Sequence, residues 1–133
     1  MRISKLVPIT MVIGLCAALA QAQPGRGWTA LGEAHVDGGV DHDRIMVTGA
    51  RGEYRAIRLR VENAAIDFDR VVVHFGNGTS TPIALKRKLR AGEQTRVIDL
   101  PGDRRVIESV EFWYGRGNWR NPERPKVVLF GLH

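Results

Sequence analysis

Trp113 and Trp119 bracket a loop that also carries Arg116 and Arg120, with Arg124 just beyond it. An indole offers a flat apolar face on which a sugar or a protein partner can rest. A guanidinium beside it pairs with phosphate or carboxylate. Trp113, Arg116, Trp119 and Arg120 are therefore the candidate ligand-binding residues, and Asn118 and Asn121 add hydrogen-bonding groups to the same loop. The competing reading has both indoles capping the core beneath the loop.

Two further groups bear on chemistry. Lys86, Arg87, Lys88 and Arg90 form a basic run suited to an anionic surface such as lipid headgroups, although such a run is also what a solvated loop carries. His35, Asp37, Asp41, His42 and Asp43 gather around Gly38-Gly39. Imidazole and carboxylate together suit a divalent metal, and structural calcium fits clustered carboxylates better than catalytic zinc. The spacing matches neither an EF-hand loop nor a zincin helix, and Asp and Gly are equally what a turn needs. No cofactor is called for. The chain shows no nucleophile elbow, P-loop or dinucleotide fingerprint.

The elements that must hold these residues read as strands. Tyr54 to Val61 alternates cleanly, with Ile57, Leu59 and Val61 on one side and Arg58 and Arg60 on the other. Cross-strand pairing of those arginines with Glu111 or Asp99 is expected on a wet sheet face. Asp67 to Phe75 follows and ends at Gly76-Asn77-Gly78, where Asn-Gly predicts a type I′ hairpin. Thr81 to Leu85 returns, and Pro82 places it at an edge. Val97 to Leu100, the turn Pro101-Gly102-Asp103 and the alternating Val110, Phe112 and Tyr114 predict a second hairpin. That alternation sends Trp113 outward beside Glu111. Val127 to Leu132 is nearly continuous in apolar residues, as a strand at a sheet centre would be. Trp28 to Val36 and the short Ile45 to Val47 complete about eight strands. No amphipathic helix interrupts them. The pattern predicts an all-β, antiparallel, jelly-roll-like β-sandwich.

The N-terminus reads as a secretory signal over residues 1–22. Arg2 and Lys5 precede an apolar stretch from Leu6 to Leu19 that is short for a membrane span, and Ala20-Gln21-Ala22 supplies a cleavage site. Residues 23–27 are then a polar lead-in, and 28–133 form a single domain. The one cysteine, Cys16, falls inside the leader, so the exported domain must be stabilised by core burial without disulfides. No later segment is apolar enough to be a transmembrane helix. The chain carries a net charge of +6 and stays basic once the leader is removed. For an exported protein that favours envelope polysaccharide or an anionic membrane surface over nucleic acid.

Thr95-Arg96-Val97-Ile98-Asp99-Leu100-Pro101-Gly102, Arg105-Val106-Ile107 and Val110-Glu111-Phe112-Trp113-Tyr114 resemble a family. So do the Phe75-Gly76-Asn77-Gly78 hairpin and the strand Ala56-Ile57-Arg58-Leu59-Arg60-Val61. That family is a domain-of-unknown-function family of small exported proteobacterial β-rich proteins. The resemblance implies a secreted β domain and transfers no site. The resulting expectation is a non-enzymatic envelope protein, periplasmic or secreted, acting as a binding or scaffolding module. One alternative is recognition of carbohydrate or an anionic envelope polymer through the Trp/Arg loop. Another, from a different class, is a metal-dependent hydrolase using the His/Asp cluster.

Overall fold

A computed structural model describes residues 26–36, 41–47, 52–115 and 124–133. The leader with Cys16, most of the lead-in, Asp37, Arg116, Trp119 and Arg120 lie outside the described residues.

The described residues are all-β and form two antiparallel sheets. The strands are β1 (Trp28–His35), β2 (His42–Met46), β3 (Ala56–Glu62), β4 (Ile66–Phe75), β5 (Ser80–Ile83), β6 (Arg87–Leu89), β7 (Ile98–Asp99), β8 (Ile107–Tyr114) and β9 (Lys126–Leu132). Sheet I runs β1-β9-β3-β7, and sheet II runs β2-β8-β4-β5 with β6 also on β4. From β1 to β4 the chain changes sheet at every step, and it does so again from β7 to β8 to β9. That winding is the jelly roll.

The core lies between the sheets. Ile57, Leu59 and Val61 face it from β3, Phe68, Val71 and Val73 from β4, and Val110, Phe112 and Tyr114 from β8. Phe112 is the hub: its ring centroid is 5.7 Å from that of Phe68 and 5.8 Å from that of Tyr114. Burying one such phenyl ring contributes about 1.5–3 kcal/mol. β9 takes the centre of sheet I, as its continuous apolar run requires, and Val127 and Leu129 are fully buried.

Three local expectations are corrected. Val97–Leu100 and Val110–Tyr114 are not a hairpin, because β7 pairs β3 in sheet I while β8 pairs β2 and β4 in sheet II. Gly102 (φ 85°) and Asp103 (φ 72°) make the turn that carries the chain across the core. The hairpin between β4 and β5 does form, but not on a type I′ turn. Gly78 (φ 88°) is left-handed and donates to the Phe75 carbonyl at 3.1 Å, while Asn77 is not left-handed and instead accepts from the Thr79 N–H at 3.1 Å. The basic run is not wholly loop either. β6 arises there because Leu89 is apolar enough to bury completely against β4.

Pro82 does sit at the sheet edge, on β5 opposite Val72. Beyond its two-residue pairing with β7, that side of β3 is closed by residues 92–95. The Thr95 N–H donates to the Leu59 carbonyl, and the Thr95 hydroxyl accepts from the Leu59 N–H. This strapping satisfies an edge that would otherwise pair with another chain.

Candidate functional site

The outer face of sheet II collects the side chains with the most chemistry. Along β8, Val110, Phe112 and Tyr114 are buried, and Glu111 and Trp113 alternate with them on the outer side, half-buried. Each is flanked in register. His42 on β2 and Arg70 on β4 stand opposite Trp113, and Arg44 and Val72 stand opposite Glu111. Arg70 reaches this rung through an irregularity in β4. Phe68 and Val71 both face the core, and the register shifts between Phe68 and Arg70. The extra residue turns Arg70 outward.

Trp113 is not an open platform. The His42 ring stacks with it, centroids 5.4 Å apart and planes 20° from parallel. The Arg70 guanidinium carbon lies 4.1 Å from the centre of the indole ring. One neighbour comes from each flanking strand, so the indole holds a guanidinium in place and does not present a bare face. No carboxylate lies within 4.0 Å of Arg70 among the described residues. A stacked guanidinium keeps its planar fork of donors and loses less freedom on meeting an oxyanion.

Beside this pair, Glu111 accepts hydrogen bonds from His74 and Arg44, with His42 a little farther off. His74 Nε2 lies 3.1 Å from Oε1, Arg44 Nη2 3.3 Å from Oε1, and His42 Nε2 3.6 Å from Oε2. Burial pushes the Glu111 carboxyl up, but the hydrogen bonds from His74 and Arg44 and the charges of Arg44 and His42 outweigh it. The carboxyl is held below its usual range. Ser109, opposite His74 and Met46, is fully buried, and its hydroxyl has no hydrogen-bond partner among the described residues.

The described members of the expected metal cluster lie on or beside two different sheets. His35 ends β1 in sheet I, opposite Lys126. His42 opens β2 in sheet II, its Nδ1 3.0 Å from the Asp41 carboxylate. The Asp43 carboxylate accepts from the Tyr114 hydroxyl at 2.7 Å and so ties the rim of the core. Among the described residues no three His, Cys, Asp or Glu side chains form a group that could hold a metal ion. The basic run is exposed throughout, and Lys88 stands opposite Asp67 on the same β4 that carries Arg70. Of the expected ligand-binding set, Trp113 stands on this face, while Arg116, Trp119 and Arg120 are outside the described residues.

Sequence reasoning missed Arg70 and the meeting of His74 with Glu111; His74 itself reads as a structural histidine on its strand. The only cue for Arg70 was the spacing of three between the apolar Phe68 and Val71, which breaks strict alternation. Arg58 and Arg60 do not pair with Glu111 or Asp99. Glu111 is on the other sheet, and the Arg60 guanidinium is 2.7 Å from Glu62.

Fold and site together define an antiparallel β-sandwich with a donor-rich outer face. The chain belongs to the family described as Domain of unknown function (DUF2541), whose model matches residues 6–131. No curated protein matches it. Among solved structures it is similar to a mutant of a family 29 carbohydrate-binding module, studied for ligand recognition. The two share 8% identity over 84% of this chain and 83% of that chain, with a TM-score of 0.36, a likeness too low to carry a functional argument. No helix among the described residues is long and apolar enough to cross a membrane.

Proposed function

We propose that this protein is an exported, non-catalytic binding module that takes an acidic polysaccharide of the cell envelope on the outer face of sheet II. The observation that carries the reading is Arg70, laid 4.1 Å over Trp113 with no carboxylate within 4.0 Å among the described residues. Both neighbours of Trp113 are nitrogen-rich side chains, His42 and Arg70. That arrangement favours a carboxylate or sulfate on the sugar over a neutral ring stacked on the indole. The net charge of +6 and the exposed Lys86, Arg87, Lys88 and Arg90 add long-range attraction for a polyanion. Export is supported by the basic n-region, the short apolar stretch and Ala20-Gln21-Ala22.

The test is binding to immobilised polygalacturonate, with neutral dextran as the comparison. Polygalacturonate is expected to bind at low salt and to release as ionic strength rises, and dextran is not expected to bind. Arg70→Ala should weaken binding about tenfold or more, the effect of losing a charge-assisted hydrogen bond. Equal retention on dextran, or an Arg70→Ala protein with unchanged affinity, would refute the reading.

A further inference from the structure

We infer that the outer face of sheet I carries a second anion site, built on Arg58 and Trp28, so that the domain joins two acidic polymer segments. The inference extends the function proposed above and uses none of the same residues.

Along β3, Ile57, Leu59 and Val61 face the core, which leaves Arg58, Arg60 and Glu62 on the outer side. β9 lies next to β3, with Phe130 opposite Arg58, Val128 opposite Arg60 and Lys126 opposite Glu62. β1 lies beyond β9, and there the small Ala30 stands opposite Phe130. Arg58 reaches across this surface to Trp28, its guanidinium carbon 4.3 Å from the indole centre.

The other cations of this face are compensated. Arg60 Nη2 is 2.7 Å from Glu62, and Lys126 Nζ is 3.2 Å from Glu62 and 3.6 Å from Glu33. Arg58 is different. Its Nε is buried without a hydrogen-bond partner, and no carboxylate lies within 4.0 Å of its guanidinium among the described residues. Asp99, on the next strand opposite Ala56, is an acid of the same neighbourhood that makes no ion pair with it. An arginine that is stacked, half-buried and short of an acceptor is already desolvated and oriented for an oxyanion.

This is the arrangement of Arg70 on Trp113, repeated on the opposite sheet. The two outer faces point away from each other across the core, and packed sheets stand about 10 Å apart before their outward side chains are added. One carboxylate cannot serve both sites. A polymer segment bound on each face makes the domain a bridge.

The experiment is calorimetric titration of the exported domain with a short oligogalacturonate, paired with turbidity in long polygalacturonate. The expected stoichiometry is two oligomers per chain. Arg58→Ala and Arg70→Ala should each leave one, and either should abolish the turbidity. Arg58→Lys keeps the charge without the fork. It should weaken the sheet I site by several-fold, and it serves if the alanine variant does not fold. Unchanged stoichiometry in both Arg58 variants, with Arg70→Ala removing all binding, overturns this inference and leaves the sheet II site standing. The reverse pattern overturns the sheet II reading and leaves the Arg58 site as a lone one, without bridging. No binding by the unmodified domain overturns both.

Discussion

On sheet I, acids and bases alternate around the stacked arginine. Arg60, Glu62, Lys126 and Glu33 form a chain of ion pairs in which each charge meets its opposite. On sheet II, one carboxylate, Glu111, stands among His42, Arg44 and His74, and Arg70 is left to the indole. The acids of the first face are also more open: the Glu62 and Glu33 side chains are 30% and 51% exposed, against 14% for Glu111. Exposure decides how much each pair is worth. Water screens the sheet I network, so it serves mainly to hold a register of charges. Glu111 accepts from His74 and Arg44 in a partly desolvated place, where its loss leaves the half-buried His74 without that acceptor.

The largest effect should come from removing that carboxylate. Glu111→Ala is expected to destabilise the domain by about 1–3 kcal/mol in urea unfolding, and Glu62→Ala by less than about 1 kcal/mol. Equal losses would erase the difference between the faces.

Acid should sharpen the same contrast. Glu111 and Glu62 are both held below the usual carboxylate range. For each, burial pushes upward and is outweighed: by His74, Arg44 and His42 at Glu111, and by Lys126 and Arg60 at Glu62. A depressed carboxyl contributes stability that is fully present above the unfolded value of about 4.3 and is lost as pH falls through the lower folded value. Melting temperature should therefore fall below about pH 4. Glu111→Gln should flatten that fall more than Glu62→Gln, and thermal melts between pH 6 and pH 2 will show the order.

The smallest effect concerns salt. The half-buried, water-screened sheet I pairs should lose only a few tenths of a kcal/mol between low salt and about 1 M sodium chloride. A Glu62→Gln protein should be less salt-sensitive still. A large salt dependence that survives this substitution would place the sensitivity elsewhere, and parallel melts of the two proteins measure it.

Much of the fold could be read from local pattern. Ile57, Leu59 and Val61 announced their strand because a face against a core and a face against water impose a period of two. Val127–Leu132 announced a central strand because β9 has neighbours on both sides and few polar positions. Pro82 announced an edge because it has no N–H to give. The pairing of Val97–Leu100 with Val110–Tyr114 was misread because a turn signal reports a change of direction, not which sheet receives the strand. The Asp and Gly residues from Asp37 to Asp43 predict a turn, yet His42 and Asp43 belong to β2. Position in the ladder beside Phe112 and Trp113 overrode their weak strand preference.

By themselves, then, the residues determined the class of fold, the inward and outward sides of the longer strands, the basic charge and the outward placing of Trp113. Tertiary structure alone decided that Arg70 meets Trp113, that Arg58 meets Trp28 and that Glu111 gathers His42, Arg44 and His74. The reason is range. Alternation and turn chemistry act between residues a few positions apart, whereas each of these meetings joins strands brought together by register and by the winding of the chain between two sheets.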